Sequence, residues 1–327
     1  MFEMDTNTWD SVPWSVSSHE SSTLLHKHRV PYTTNANALQ NLDIWIPAPD
    51  NTTQTPPDPK LLPTSQGLWV IYIHGGAWRD PLVTSSSFDA TVSNLATSHP
   101  DTLKHISGIA SINYSLSPRT TDKNDPSYSD DSSRQAKHPG HIVDVLTALS
   151  YLQHKAKFSN NYILLGHSCG ATLAFQVAMS HAKWGSSATA LKTEKPVAVV
   201  GLNGLYDMPT LIREPGEKHA HLGSLYETFT RLAFGDDEKV WSEISPISVE
   251  DWASEWVEGK KIFLVQSKED SLVPYRQTAD MKEALESSKA SGCASSELEA
   301  GGDHNDLWKE GGRLAEIIAE VVTTLVS

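Results

Sequence analysis

The apolar positions change period repeatedly along the chain, and the changes mark out alternating strands and helices. Leu68 to Ile73 is an unbroken apolar run, as expected of a strand buried on both faces of a parallel sheet. Asn41 to Ile46, Ile106 to Tyr114, Tyr162 to Leu165, Val197 to Leu202, Ile262 to Gln266 and the weaker Ala294 to Leu298 read as further strands. Between them the spacing becomes helical. Ile142, Val145, Leu146, Leu149 and Leu152 share a face between Pro139 and His154, and an Ala-rich helix runs from Gly170 to about His181. A third helix covers Tyr275 to Ser288, and Leu314, Ile317, Ile318, Val321 and Leu325 line the last. This alternation predicts an α/β fold with a mostly parallel central sheet and helices on both faces.

Other stretches are less regular. Residues 1–35 show no readable period. The proline-rich segment Pro47 to Gln66 reads as an exposed connection, and Thr120 to Lys137 as a polar loop whose composition suits disorder. Residues 203–258 read as an irregular region around a short helix near Leu225 to Phe234, a possible lid or insertion within one domain spanning 1–327.

Candidate chemistry sits at the junctions. Gly166-His167-Ser168-Cys169-Gly170 fits G-x-S-x-G between a strand and a helix, the setting in which that motif presents a nucleophilic serine. Ser168 is the expected nucleophile, and Cys169 a small buried side chain whose N–H faces the developing oxyanion. Upstream, His74-Gly75-Gly76-Ala77-Trp78 leaves the apolar strand as a glycine loop suited to supplying oxyanion donors. Gly76, Ala77 and Cys169 are the expected donors, with Gly75 the alternative. His74 is expected to shape its loop, and Trp78 either to line a pocket or to pack the loop.

In this chain order an acid and then a histidine must follow the serine. After His221 only His304 remains, in the loop Gly301 to Asp306 before the last helix. Asp270, just past the strand Ile262 to Gln266, is the expected acid, with Glu269 beside it and Asp207 as second candidate. Tyr114 and Asn203 are further candidates for a substrate pocket.

Composition narrows the partners. With 26 Lys plus Arg against 40 Asp plus Glu, the formal charge is -14, which disfavours nucleic acid and membrane surfaces. Met1 to Asp10 has no signal-peptide character, so a soluble cytoplasmic protein acting on a small molecule is expected, and the Asn51 and Asn113 sequons carry little weight. Cys169 and Cys293 form neither a disulfide framework nor a zinc pattern. His26/His28 and His219/His221 lack an accompanying carboxylate pattern and read as surface histidines, so no metal is expected.

HGGAW with Arg79-Asp80-Pro81, SINYSLSP (Ser111 to Pro118), HPGHIVDV (His138 to Val145), GHSCGAT (Gly166 to Thr172) and GDHNDLW (Gly302 to Trp308) together resemble the kynurenine formamidase (arylformamidase) family, in its fungal form, of the α/β-hydrolase superfamily. The resemblance implies hydrolysis of N-formyl-L-kynurenine to L-kynurenine and formate, without a cofactor and by a homodimer. It also implies Ser168, Asp270 and His304 as triad and Gly76 and Ala77 as oxyanion residues. HGGxW and GxSxG are shared with hormone-sensitive-lipase-like esterases, so a general carboxylesterase is the alternative reading, and a non-catalytic ligand-binding relative another.

Overall fold

The computed structural model describes residues 8–48, 57–63, 67–287 and 294–327. Cys293, Asn51 and much of the proline-rich connection lie outside them. Nine strands form one sheet: β1 (Ser15–Ser18), β2 (Thr23–Pro31), β3 (Asn41–Pro47), β4 (Leu68–Ile73), β5 (Ile106–Ile112), β6 (Tyr162–His167), β7 (Ala198–Leu202), β8 (Lys261–Gln266) and β9 (Ala294–Glu299). Their spatial order is β1-β2-β3-β5-β4-β6-β7-β8-β9. From β5 to β9 every neighbouring pair is parallel, whereas β1, β2 and β3 join antiparallel at the other edge.

The central strand shows why its sequence is apolar throughout. Side chains alternate across a strand, and in β4 Trp69, Ile71 and Ile73 enter one core while Leu68, Val70 and Tyr72 enter the other. Fully burying such a side chain contributes roughly 1.5–3 kcal/mol. On the first face lie α2 (Gly140–Ala156), α3 (Cys169–Ala178), α4 (Gly223–Phe234) and α5 (Arg276–Ser287); on the second lie α1 (Asp89–Ser98) and α6 (Gly312–Val326). Ile142, Val145, Leu146, Leu149 and Leu152 of α2 are all buried, as are Leu314, Ile317, Ile318 and Val321 of α6. None of the described helices is long and apolar enough to cross a membrane.

Three expectations need correction. The unreadable N-terminal stretch contains β1 and β2, and its pattern is obscured for a physical reason. Lys27 occupies a core position of β2, where its ammonium donates to the carbonyls of Trp9 (2.7 Å), Pro59 (2.8 Å) and Val12. Burial pushes that ammonium down to about 8. A bulge between Lys27 and Val30, with Arg29 at φ 54°, then breaks the alternation.

Residues 203–258 are largely helical rather than irregular. Short helices begin at Met208, Glu238 and Trp252, each capped by the preceding aspartate: Asp207 accepts from Thr210 N–H, Asp237 from Lys239 and Asp251 from Ser254. The polar segment 120–137 is a loop but an organised one. The carboxylates of Asp122, Asp125 and Asp131 each accept the backbone N–H two residues on, the local turn chemistry that Asp favours.

Candidate active site

The strand order reverses at β4, because β5 lies on one side of it and β6 on the other. At such a switch point the loops leaving the strand ends diverge and open a crevice. Ile73 and Gly166 are register partners, so the loop after β4 and the turn after β6 emerge together. Ser168 occupies that turn at φ 55°, ψ -122°, a strained conformation for a residue with a side chain. Close packing imposes it. A Cβ on Gly166 would lie 2.0 Å from the Gly170 carbonyl oxygen, and one on Gly170 would lie 2.3 Å from that of Ile73. Ser168 N–H donates to the Leu202 carbonyl (2.8 Å), while its own carbonyl accepts from Ala171 (3.0 Å). The helix α3 starts at the next residue, and its positive end faces the serine.

Asp270 and His304 come from the loops after β8 and β9, which are also parallel neighbours. Asp270 Oδ2 lies 2.8 Å from His304 Nδ1, both residues being buried. The carboxylate is held from every side: Leu272 and Val273 N–H donate to Oδ1 (2.8 Å each) and Gln266 Nε2 to Oδ2 (3.0 Å). Asp207 is occupied as a helix cap and Glu269 is exposed, so neither replaces it. Ser168 and His304 line one cavity of about 270 Å³, together with Gly76 and Ala77 of the loop after β4. Gly76 (φ 94°), Ala77 (φ 50°) and Trp78 (φ 57°) turn that loop sharply beneath the serine. A larger hollow of about 690 Å³ beside Gly67, His105 and Lys260 carries none of the sequence-predicted site residues.

The family described as BD-FAE matches residues 62–285. A kynurenine formamidase-like hydrolase of Fusarium equiseti is 38% identical, the alignment covering 92% of this chain and 95% of that protein. A kynurenine formamidase of Aspergillus versicolor is 34% identical, with 74% and 84% covered. The chain belongs to the kynurenine formamidase family. The fold of that family is seen here as an α/β-hydrolase. A truncated form of a carbohydrate esterase from gut microbiota shares the architecture at a TM-score of 0.61 and 19% identity, with 94% of this chain and all of that one covered.

The remaining sequence-predicted residues of this family member fall behind the cavity rather than on its wall. Trp78 is fully buried and packs against Phe229 and Phe234. Tyr114 is fully buried and donates toward the His74 and Gly75 carbonyls (3.1 and 3.3 Å). Asn203 is fully buried, with Nδ2 donating to the His304 carbonyl (3.1 Å) and Oδ1 accepting from Ser267 N–H (3.0 Å). All three shape the loops and do not form the pocket. Gly75 backs onto the turn, where a Cβ would meet His167 Nδ1 at 2.8 Å and Ser168 Cβ at 3.0 Å. Cys169 Sγ is buried against Trp78 N–H (3.3 Å), and burial pushes its thiol up to about 11, so it is not a thiolate. His74 donates from Nδ1 to the Gly75 carbonyl (2.9 Å) and stacks on Tyr114; burial holds it down to about 4.

Sequence reasoning missed the supports of His304. His167 donates from Nε2 to the His304 carbonyl (2.8 Å), with the two rings 4.6 Å apart. Burial depresses His167 to about 3, which keeps it neutral. Lys218 and His219 reach the Asp270 carbonyl at 2.7 and 3.1 Å. Only the position of His167, next to the serine, gave any signal.

His26 and His28 do have a carboxylate, supplied by the neighbouring strand. Asp43 Oδ1 lies 3.0 Å from His26 Nε2 and 2.6 Å from His28 Nδ1, and Ser85 Oγ donates to Oδ2. The donor atoms are close enough to hold a metal ion, and in this structure both rings share one oxygen of the buried aspartate, hydrogen bonds that clamp them across the β2 bulge.

Proposed function

We propose that the protein hydrolyses N-formyl-L-kynurenine to L-kynurenine and formate. Ser168 Oγ attacks the formyl carbon while His304 Nε2 takes its proton. Asp270, bonded to Nδ1, fixes the ring so that Nε2 faces the serine, and stabilises the imidazolium that forms. The tetrahedral oxyanion is met by the N–H groups of Gly76, Ala77 and Cys169. Collapse breaks the C–N bond; His304 returns the proton to the departing aryl amine, leaving a formyl ester on Ser168. Water, deprotonated by His304, then attacks that ester, releasing formate and restoring the serine hydroxyl.

The observation that carries this reading is the convergence on one cavity of a strained Ser168, the Asp270–His304 pair and the Gly76–Ala77 loop, in a chain akin to proteins named kynurenine formamidases. The cavity supports a one-ring leaving group: Leu222, Leu225, Tyr226, Phe229, Leu272 and Val273 provide an apolar wall. Four of these come from the helical insertion 203–258, which acts as the roof. Purified protein should release formate from N-formyl-L-kynurenine, and Ser168→Ala should not. Hydrolysis of p-nitrophenyl acetate with no turnover of the formamide would replace this reading by that of a carboxylesterase.

A further inference from the structure

The wall of the cavity is chemically divided. Besides the apolar residues of 203–258, Arg79, Asp80 and Arg119 line it. The two arginines are the unexpected feature. Arg79 is half-buried, and its Nη1 donates to the backbone carbonyl of Arg119 (3.4 Å). Among the described residues neither guanidinium forms a salt bridge, although the chain carries 14 more acidic than basic side chains. Desolvation, then the charge of Arg119, lowers the ordinary value of Arg79, and the neighbouring Asp80 offsets part of that shift, while Arg119 itself is exposed. Two guanidinium groups at one rim of the cavity give it a local positive field that suits an anionic group of the substrate.

We propose that Arg79 and Arg119 form a carboxylate subsite that selects substrates bearing an α-amino-acid head at the far end of the leaving group. This rests on the formamidase reading of the same cavity. Guanidinium groups suit the task because they bind carboxylates through paired, planar hydrogen bonds. Asp80, at the same end of the cavity, supplies the complementary charge for the α-ammonium group. The aromatic ring then lies against Tyr226 and Phe229, with the formyl group at Ser168. A local cation pair is needed because the field of an acidic protein otherwise repels the substrate's carboxylate.

The test compares N-formyl-L-kynurenine with N-formylkynuramine, which lacks the carboxylate, on wild type, Arg79→Ala, Arg79→Lys and Arg119→Ala. Wild type should favour the carboxylated substrate in kcat/KM by about tenfold to a hundredfold, the size of a charge-assisted hydrogen-bonded contact. Arg79→Ala should collapse that ratio, chiefly through KM; Arg119→Ala should reduce it, and Arg79→Lys restore part of it. Equal losses on both substrates, or an unchanged ratio, would overturn the subsite. If wild type hydrolyses p-nitrophenyl acetate and neither formamide, the formamidase reading fails separately. The subsite is then judged by competitive inhibition of ester hydrolysis. 3-Benzoylpropanoate should inhibit more strongly than its methyl ester in wild type, and equal potency would overturn the proposal.

Discussion

Two places among the described residues bring together aspartate, histidine and serine. In one, Asp270 bonds His304 and the serine stands across a cavity. In the other, Asp43 binds His26, His28 and Ser85 all at once. The residue types are the same, and the difference lies in what the carboxylate leaves available. At Asp270 the remaining lone pairs are taken by Gln266 and two backbone N–H groups, so the acid orients one imidazole through its Nδ1 alone. At Asp43 the serine hydroxyl is spent on the acid itself, and nothing activates it. Catalytic use requires the three groups in series; a carboxylate that gathers all of them in parallel makes a structural clamp.

Mutation should separate the two sites cleanly. Ser168→Ala should lower kcat/KM for N-formyl-L-kynurenine by about 10⁴-fold or more, measured as formate release, with no loss of thermal stability. Asp270→Asn should cost about 10³- to 10⁴-fold in kcat, because the amide supports the wrong ring tautomer. Retention of full activity by either variant would place the chemistry elsewhere.

Acid should attack the catalytic side of the fold first. His74, His141 and His167 are buried neutral, with values depressed to about 4, 3 and 3 by desolvation. Their unfolded value lies near 6.5, so below it the unfolded chain binds more protons. Stability therefore falls as pH drops from about 6.5 toward 4, by up to roughly 4 kcal/mol per pH unit for three such groups. Urea midpoints across this range measure the slope, and a flat profile would contradict the buried neutral assignment.

The clamp should respond more weakly, and in stability rather than in activity. Burial raises the Asp43 carboxyl, but hydrogen bonds from His26 and Ser85 and the charge of His28 outweigh it and hold the group below its ordinary value. A depressed carboxylate stabilises the fold above its unfolded value, and that contribution is lost as pH falls through the folded one. Asp43→Asn should therefore cost about 1–3 kcal/mol at pH 7, read from chemical denaturation, with formamide turnover unchanged. His28→Ala, at an exposed ring, should cost less than about 1 kcal/mol. A large loss of turnover in Asp43→Asn would mean that the edge acts on the active site.

How far each region could be read in advance follows the same division. The parallel half was legible because its strands are buried on both faces and its helices on one. Periodicity thus reports burial directly, as in β4, α2 and α6. Gly166, Ser168, Gly170 and His304 were legible because a tight turn and a fixed chain order leave few alternatives. The N-terminal edge was not, since a buried lysine and a bulge hide the alternation of β2. Residues 203–258 were misread because their short helices carry their signal in the Asp caps at 207, 237 and 251 rather than in an apolar repeat.

By itself, then, the sequence determined the parallel half of the sheet, the turn around Ser168 and the chain order of Asp270 and His304, because each depends on local spacing. Only the tertiary structure decided which side chains face the cavity. Trp78, Tyr114 and Asn203 turn away from it, while Arg79 and Arg119, 40 residues apart, meet on its wall. It alone placed His167 under His304 and Asp43 between His26 and His28. These are contacts between neighbouring strands and loops, and the distance along the chain between such partners carries no trace of their distance in space.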